Sequence, residues 1–189
     1  MKLLCILLLT AISLKMYAPM LTLDFQKEKF EYSLNKISLE NYLEALALRE
    51  SGHSNMPIYK KTGLTPYTIV NKQGAAGKWQ ITAIARKDIG YKGTLKQFLN
   101  DSITQKNCVI KLLKKNKYYL QYYIPNFEDY IGKTIHGVEI TLAGLLSACH
   151  LGGVGSVIKF LKYSYNAKDI NNTSVVSYLK HFKNYNIIL

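Results

Sequence analysis

Cysteine, proline, tryptophan and acidic residues are all scarce in these 189 positions, and each shortage closes a route. Only Cys108 and Cys149 lie beyond residue 20, so the chain is no disulfide framework, although one bridge would suit an oxidising compartment. Cys5 precedes most of the apolar run that holds it, which excludes a lipid anchor at that thiol. No internal repeat or low-complexity tract appears, which excludes a solenoid or a biased linker protein. Acids number 12 against 25 Lys and Arg, a net charge of +13. All 12 acids follow residue 20, so residues 21–189 carry +11, with 23 basic residues against 12 acidic. Residues 71–124 hold eleven Lys and Arg against only Asp88 and Asp101. Such a field favours nucleic acid, anionic lipid or an acidic wall polymer; its plain alternative is a solvated lysine-rich surface.

What is present is the composition of a globular protein, with 48% hydrophobic and 20% charged residues and mean hydropathy near zero. That is too apolar for disorder, and the length suits one domain with a real core. The fifteen tyrosines suit core positions and cleft walls alike. The first 20 residues, MKLLCILLLTAISLKMYAPM, pair an early lysine with the apolar run 3–14, the pattern of a secretory leader. The run is short for a membrane span. Ala18 followed by Pro19 is a weak cleavage signal, so an uncleaved anchor is the other reading. Residues 21–37 form a polar lead-in, and 38–189 the folded domain.

Within that domain Ser38 is a plausible helix cap, and Leu39, Tyr42, Leu43, Leu46, Ala47 and Glu50 follow at helical spacing before Gly52. Residues 53–77, broken by Pro57, Gly63, Pro66, Gly74 and Gly77, read as a small irregular or β subregion. Helices are expected over 78–90, over 95–100 behind Thr94, and over 102–124 before Pro125. Three more are expected, at 142–151 behind Thr141, from Gly155, and at 174–182. The expected fold is mainly α, in one domain with a small irregular or β subregion.

One residue in this pattern asks for a reason. Glu50 lies eleven helical steps beyond Leu39, about 20° away around the axis, so it shares the buried stripe. At a helix C-terminus both desolvation and the negative end of the dipole disfavour a charged carboxylate. A carboxyl that keeps its proton there suits a general acid for glycosidic cleavage, a pattern whose standard illustration is lysozyme. The plain alternative is a glutamate that turns outward at a frayed end, or pairs with Arg49 or a lysine.

Three ordered stretches bear on the choice: RESGHSN (49–55), VNKQGAAGKWQIT (70–82) and LLSACHLGG (145–153). Together they resemble the motifs of the lytic transglycosylase and goose-type lysozyme superfamily, over about residues 39–180. The resemblance implies a lysozyme-like α+β fold and Glu50 as the catalytic acid and base. It implies Ser51 supporting Glu50, with Gly77 and Gln80 lining the sugar cleft. Residues 148–152 would form the third motif, which includes His150, and Tyr178 would be the tyrosine of the last helix. The chain departs from the pattern at Trp79, where a methionine is usual, and at Cys149–His150, where tyrosine and asparagine are usual. Taken on their own, Gly74 and Gly77 suit close backbone approach or simple turns. Gln80, on the first turn of a helix, suits sugar hydroxyls or solvent, and Trp79 and Tyr67 suit a sugar face or the core. The spacing of Tyr178 favours core packing of its ring, with its hydroxyl near Glu50 if the resemblance holds.

No second carboxylate presents itself for the usual pair. Glu40 and Glu44 lie upstream and off the stripe, and Asp88 sits beside Arg86 and Lys87. A single-carboxylate mechanism assisted by the substrate's N-acetyl group is then the economical one, and the resemblance implies a 1,6-anhydro product. It also implies a monomer acting on peptidoglycan strands without metal or cofactor, and the leader points to the periplasm or secretion. Wall remodelling, opening a gap for a secretion or conjugation apparatus, and phage-type lysis stay open as roles, with the second preferred. The other reading is a non-catalytic module on the same scaffold, holding glycan or an anionic surface through its lysines. Nucleic acid fits the charge but finds no recognition motif and sits poorly with a leader. Adjacent Cys149 and His150 point about 100° apart on a helix, so a thiol nucleophile would need His53, His136 or His181. Zinc ligand spacing is absent.

Overall fold

Short polar side chains start most of the helices. The computed structural model describes residues 27, 28, 31, 38–52, 56–169 and 171–189. The leader and most of the lead-in, and His53, therefore lie outside the described residues. Helix α1 covers 38–51, and Ser38 is already helical rather than capping. Helices α2 (Pro57–Thr62), α3 (Ala83–Asp88), α4 (Leu95–Leu99) and α5 (Ser102–Tyr123) follow. After a 3-10 turn at Phe127–Tyr130 come strands β1 (Thr134–Ile135) and β2 (Val138–Glu139), then α6 (Leu142–Tyr163) and α7 (Val175–Phe182). Thr82, Thr94, Asp101, Thr141 and Ser174 each accept a backbone N–H of the first turn they precede, at 2.9–3.2 Å. Leu39–Leu189 forms one compact unit.

The architecture is mainly helical with one small antiparallel sheet. That sheet lies outside 53–77, the stretch expected to be irregular or β. Residues 57–62 are helical, and among the described residues the region's extended pairing is limited to isolated bridges Val70–Ala76 and Ala76–Ile81. The two-stranded sheet lies at 134–139, closed by His136 and Gly137, both at positive φ (49° and 74°), as a tight hairpin requires.

α6 occupies the core. Ala143 through Cys149 are all buried, so this leg is apolar all round, and the helix turns at Gly153 (φ 73°, ψ 164°) into a second leg. The two helices expected on either side of Gly152–Gly153 are these two legs. Its length and hydropathy would suit a membrane span, but half of it is buried inside the fold, chiefly against α7 and α5. Gly144 permits the close contact with α7, since a Cβ there would lie 3.0 Å from the Leu179 carbonyl oxygen.

α1 joins the core through Tyr42, Leu43, Leu46 and Ala47. The Tyr42 ring packs edge-on to Phe182 of α7 at 5.8 Å, and its hydroxyl meets Ser147 Oγ of α6 at 2.9 Å. Those two contacts fix where the C-terminal end of α1, and hence Glu50, emerges. Cys108 and Cys149 are both buried and unbridged.

Candidate functional site

Glu50 ends the apolar stripe of α1 half-buried, one residue before the last helical position. Gly52 closes the helix at φ 75°, donating its N–H to the Leu48 carbonyl at 3.1 Å. Across from Glu50, α7 presents Tyr178, whose ring is buried and whose hydroxyl donates to Glu50 Oε1 at 2.6 Å. The contact joins residues 128 positions apart. Glu50 Oε2 has no protein hydrogen-bond partner among the described residues. Tyr178 thus serves both core and site.

Burial, then the Glu50 charge and the hydrogen bond to it, push the Tyr178 phenol well above its ordinary value. Arg49 opposes that shift, its guanidinium carbon lying 5.3 Å from the ring centroid. Tyr178 therefore stays a proton donor to Glu50 at any physiological pH. Nothing in the sequence pointed to Arg49 in this role beyond its position next to Glu50.

The other acids of the folded unit are engaged elsewhere. Glu40, Glu44, Asp88, Glu128 and Glu139 pair with Lys106, Lys78, Lys115, Lys117 and Lys183. Asp101 caps α5, Asp169 caps a turn, and Asp129 lines a separate pocket beside β1. Among the described residues, no second carboxylate accompanies Glu50.

The glycine-rich stretch folds as a turn, not as the helix start expected from residue 78. Ala76 and Ile81 exchange both backbone hydrogen bonds, at 3.1 and 2.9 Å, and Gln80 takes positive φ (46°) between them. The helical pattern failed here because that pairing holds 78–81 extended and turned, so α3 starts only behind Thr82. Gln80 Nε2 donates to its own loop, to the Gly77 carbonyl at 2.8 Å. Trp79 is 3% exposed, and its indole N–H donates to the Leu43 carbonyl of α1 at 2.8 Å, so its ring belongs to the core. The carbonyl of Trp79 meets His150 Nε2 of α6 at 2.7 Å. Since a carbonyl only accepts, Nε2 carries the proton, and the buried Nδ1 has no partner among the described residues. Trp79 thereby ties the second motif to the third and to α1, the helix on which the first motif begins. Ser51 is inward-bonded too, its hydroxyl donating to the Ala47 carbonyl at 3.1 Å and its carbonyl accepting from the Tyr59 hydroxyl.

Gly77 sits at φ 75°, and a Cβ there would lie 2.2 Å from Gln105 Oε1. The close approach it permits is to this side chain of α5. Gln105 is fully buried: Oε1 accepts the Lys78 N–H, and Nε2 donates to the carbonyls of Tyr67 and Phe98, each at 2.9 Å. A polar residue seven positions before Leu112, on the buried face of α5, was the sequence signal for this latch. Gly77→Ala is expected to lower stability by about 2–4 kcal/mol, combining left-handed strain with a broken buried hydrogen-bond set. Gly74→Ala, at φ 78° but with open space around it, isolates the strain at about 1–2 kcal/mol. Urea denaturation of both variants checks the difference, and equal losses would remove the Gln105 latch.

A groove of about 450 Å³ begins at Gly52, two residues beyond Glu50, and runs past Leu48, Glu44, Pro66, Tyr67 and Lys78. A second pocket, about 180 Å³, shares Glu44 and Tyr67 and reaches Trp79, Ser102 and Lys106. Tyr67 walls both. Lys78 bridges Glu44 at 2.6 Å and lies 5.2 Å over the Tyr67 ring, so one wall is a held, charged aromatic edge. Glu50 itself does not line either cavity.

Burial also raises the Cys149 thiol far above the ordinary thiol value, and His150 is turned to Trp79, so no thiolate nucleophile forms here. Tyr42 is likewise raised, by desolvation first and against its bond to Ser147. Tyr42, Tyr178 and Cys149 are neutral when protonated, and all are raised in the fold. The stability they confer is whole below their unfolded values, 10.0 for the phenols and 9.0 for the thiol. It is lost as pH rises beyond them towards the folded values. The urea midpoint is expected to hold from about pH 7 to 8.5 and fall steadily above that. A midpoint that stays level to about pH 11 would contradict the burial of these groups.

No family model matches the chain, and no curated protein or solved structure matches it.

Proposed function

We propose that the protein is an exported enzyme that cleaves peptidoglycan, a lytic transglycosylase on a lysozyme-like fold. Its target is the β-1,4 bond between N-acetylmuramic acid and N-acetylglucosamine. The observation that carries this reading is the Tyr178–Glu50 hydrogen bond. It places a lone helix-end carboxyl against a phenol of the last helix, at the two positions the motif order singles out. The absence of a second nearby carboxylate among the described residues points the same way.

In the proposed cycle the proton on Glu50 passes to the glycosidic oxygen as the bond to C1 breaks. The substrate's N-acetyl oxygen closes on C1 and takes up the developing positive charge, the part a second carboxylate would otherwise play. Tyr178, still protonated, holds Oε1 while Oε2 faces the substrate. Glu50, now a base, removes the proton of the C6 hydroxyl, whose oxygen displaces the N-acetyl oxygen and leaves a 1,6-anhydro ring. Water in place of that hydroxyl would give simple hydrolysis. The groove from Gly52 past Tyr67 is where the glycan would extend. Gln80, His150 and Ser51 would shape the site from behind, since Gln80 Nε2, His150 Nε2 and the Ser51 hydroxyl are bonded to the protein.

Incubation with purified peptidoglycan, followed by mass analysis of the products, tests the proposal. Anhydro-muramyl ends are expected. Reducing ends would make the enzyme a muramidase. Firm sedimentation with sacculi and no cleavage would leave the second reading, a glycan-holding module, which the lysine-rich 71–124 stretch favours.

A further inference from the structure

The outer face of α5 carries a set of side chains that the proposed site does not use. Tyr118, Tyr122 and Tyr123 are 63%, 66% and 55% exposed, a large aromatic area to leave in water. The rings of Tyr118 and Tyr122 lie 6.4 Å apart at 26°, nearly parallel, and Tyr123 abuts Tyr122 edge-on at 5.0 Å. Lys111 and Lys114 fall within about 40° of Tyr118 around the helix and are exposed. Neither has an acidic partner among the described residues, whereas Lys106, Lys115 and Lys117 on the same helix are paired. Beyond Lys111 the stripe runs into a cavity of about 290 Å³ of mixed lining, whose walls include Ile89, Tyr91, Lys92, Thr104, Asn107 and Cys108. Lys92 is also unpaired among the described residues.

Aromatic faces with hydroxyl tips, unpaired cations and a recess of mixed lining suit a ligand that is flat, hydroxylated and anionic. The geometry points to this face as a second carbohydrate site. It holds an anionic glycan strand by stacking sugar rings on Tyr118 and Tyr122 and pairing acidic groups with Lys92, Lys111 and Lys114. A bilayer is a poorer fit, because the large hydrophobic side chains left exposed along α5 are three tyrosines and a single aliphatic residue, Ile103. Single-stranded nucleic acid shares the stacking and charge logic, but among the described residues the stripe has only two aromatic faces in line. That the strand is wall glycan rests on the proposed function. No residue of the stripe is among the partners of Glu50 or Tyr178.

The test uses the full chain carrying Glu50→Gln, so that the ligand survives, sedimented with purified sacculi. Adding Tyr118→Ala with Tyr122→Ala is expected to weaken retention about tenfold. Adding Lys111→Gln with Lys114→Gln is expected to weaken it by a similar factor and to flatten its salt dependence. With Glu50 intact, the tyrosine pair should cleave a short soluble peptidoglycan oligosaccharide at the parent rate. Thermal melts confirm that these surface variants fold, and the lysine pair keeps the test open if the tyrosine pair does not. Unchanged retention in both pairs overturns the proposal. So does tighter binding of the parent to oligothymidylate or to phosphatidylglycerol vesicles, lost through the same substitutions. A parent that binds sacculi through this face yet cleaves nothing would overturn the enzymatic reading and uphold the surface.

Discussion

Glu50→Gln is expected to reduce peptidoglycan cleavage by at least about a thousandfold, while binding to sacculi stays near the parent value. General acid–base assistance is worth about 10²–10⁴ in rate. One carboxyl here serves both halves of the reaction, first as acid and then as base, so its loss should fall in the upper part of that range. The amide is nearly isosteric, and its oxygen can still accept from Tyr178, so the α1–α7 contact survives and the fold with it. That separates chemistry from structure. If the glutamine variant melts like the parent and cleaves as fast, Glu50 is not the acid and the enzymatic proposal falls. If it melts much lower, the role of Glu50 is to support the core, and Glu50→Asp, which keeps the charge but shortens the reach, becomes the discriminating variant. Cleavage is read as product mass per unit time, and binding as the fraction sedimented.

Much of this arrangement could be read from residues alone, and the reasons differ from place to place. Helices with an oxygen-bearing cap or a clear stop were legible: Thr94 before Leu95–Leu99, Thr141 before the apolar leg of α6, and Pro125 just beyond Ser102–Tyr123. Cap chemistry is local, so it survives whatever the rest of the chain does. The 78–82 segment was not legible, because its conformation is decided by Ile81 pairing with Ala76 and by Trp79 reaching Leu43, contacts that local propensity does not contain. The hairpin at 134–139 escaped for a different reason. Its strands are two residues long, and its turn is His136–Gly137 in place of the asparagine or aspartate that usually announces one. At the site, the periodicity of α1 placed Glu50 on the buried stripe. Which side chain met it there depended on α7 packing across α6 and α1, which periodicity does not encode. Trp79 and Gly77 illustrate the converse. Both positions suited a ligand as well as a packing role, and Leu43, His150 and Gln105 take up those sites from inside the protein.

Tyr178→Phe carries the second large effect, and it asks whether the α7 phenol does more than fill space. The substitution deletes one hydroxyl and keeps the ring, so packing against Phe182 at 5.7 Å and the Arg49 contact at 5.3 Å remain. What is lost is a hydrogen bond to a carboxyl that must become an anion partway through the proposed cycle. A hydrogen bond to a charged group is worth about 1.5–3 kcal/mol, which corresponds to about 10- to 100-fold in rate. The loss should appear in kcat with KM little changed, because the phenol acts on Glu50 and not on the bound glycan. A merely structural tyrosine would give a different pattern: a lower melting temperature, with turnover per folded molecule unaltered. Tyr178→Leu supplies the comparison, since removing the ring opens the core beside Phe182 and should lower stability as well as rate. Full activity in the phenylalanine variant, with Glu50→Gln inactive, would mean that Glu50 works unaided and that the 2.6 Å contact serves the fold. Loss in both variants, with stability held in the first, would make the pair a single functional unit in which α7 sets the orientation of the acid at the end of α1.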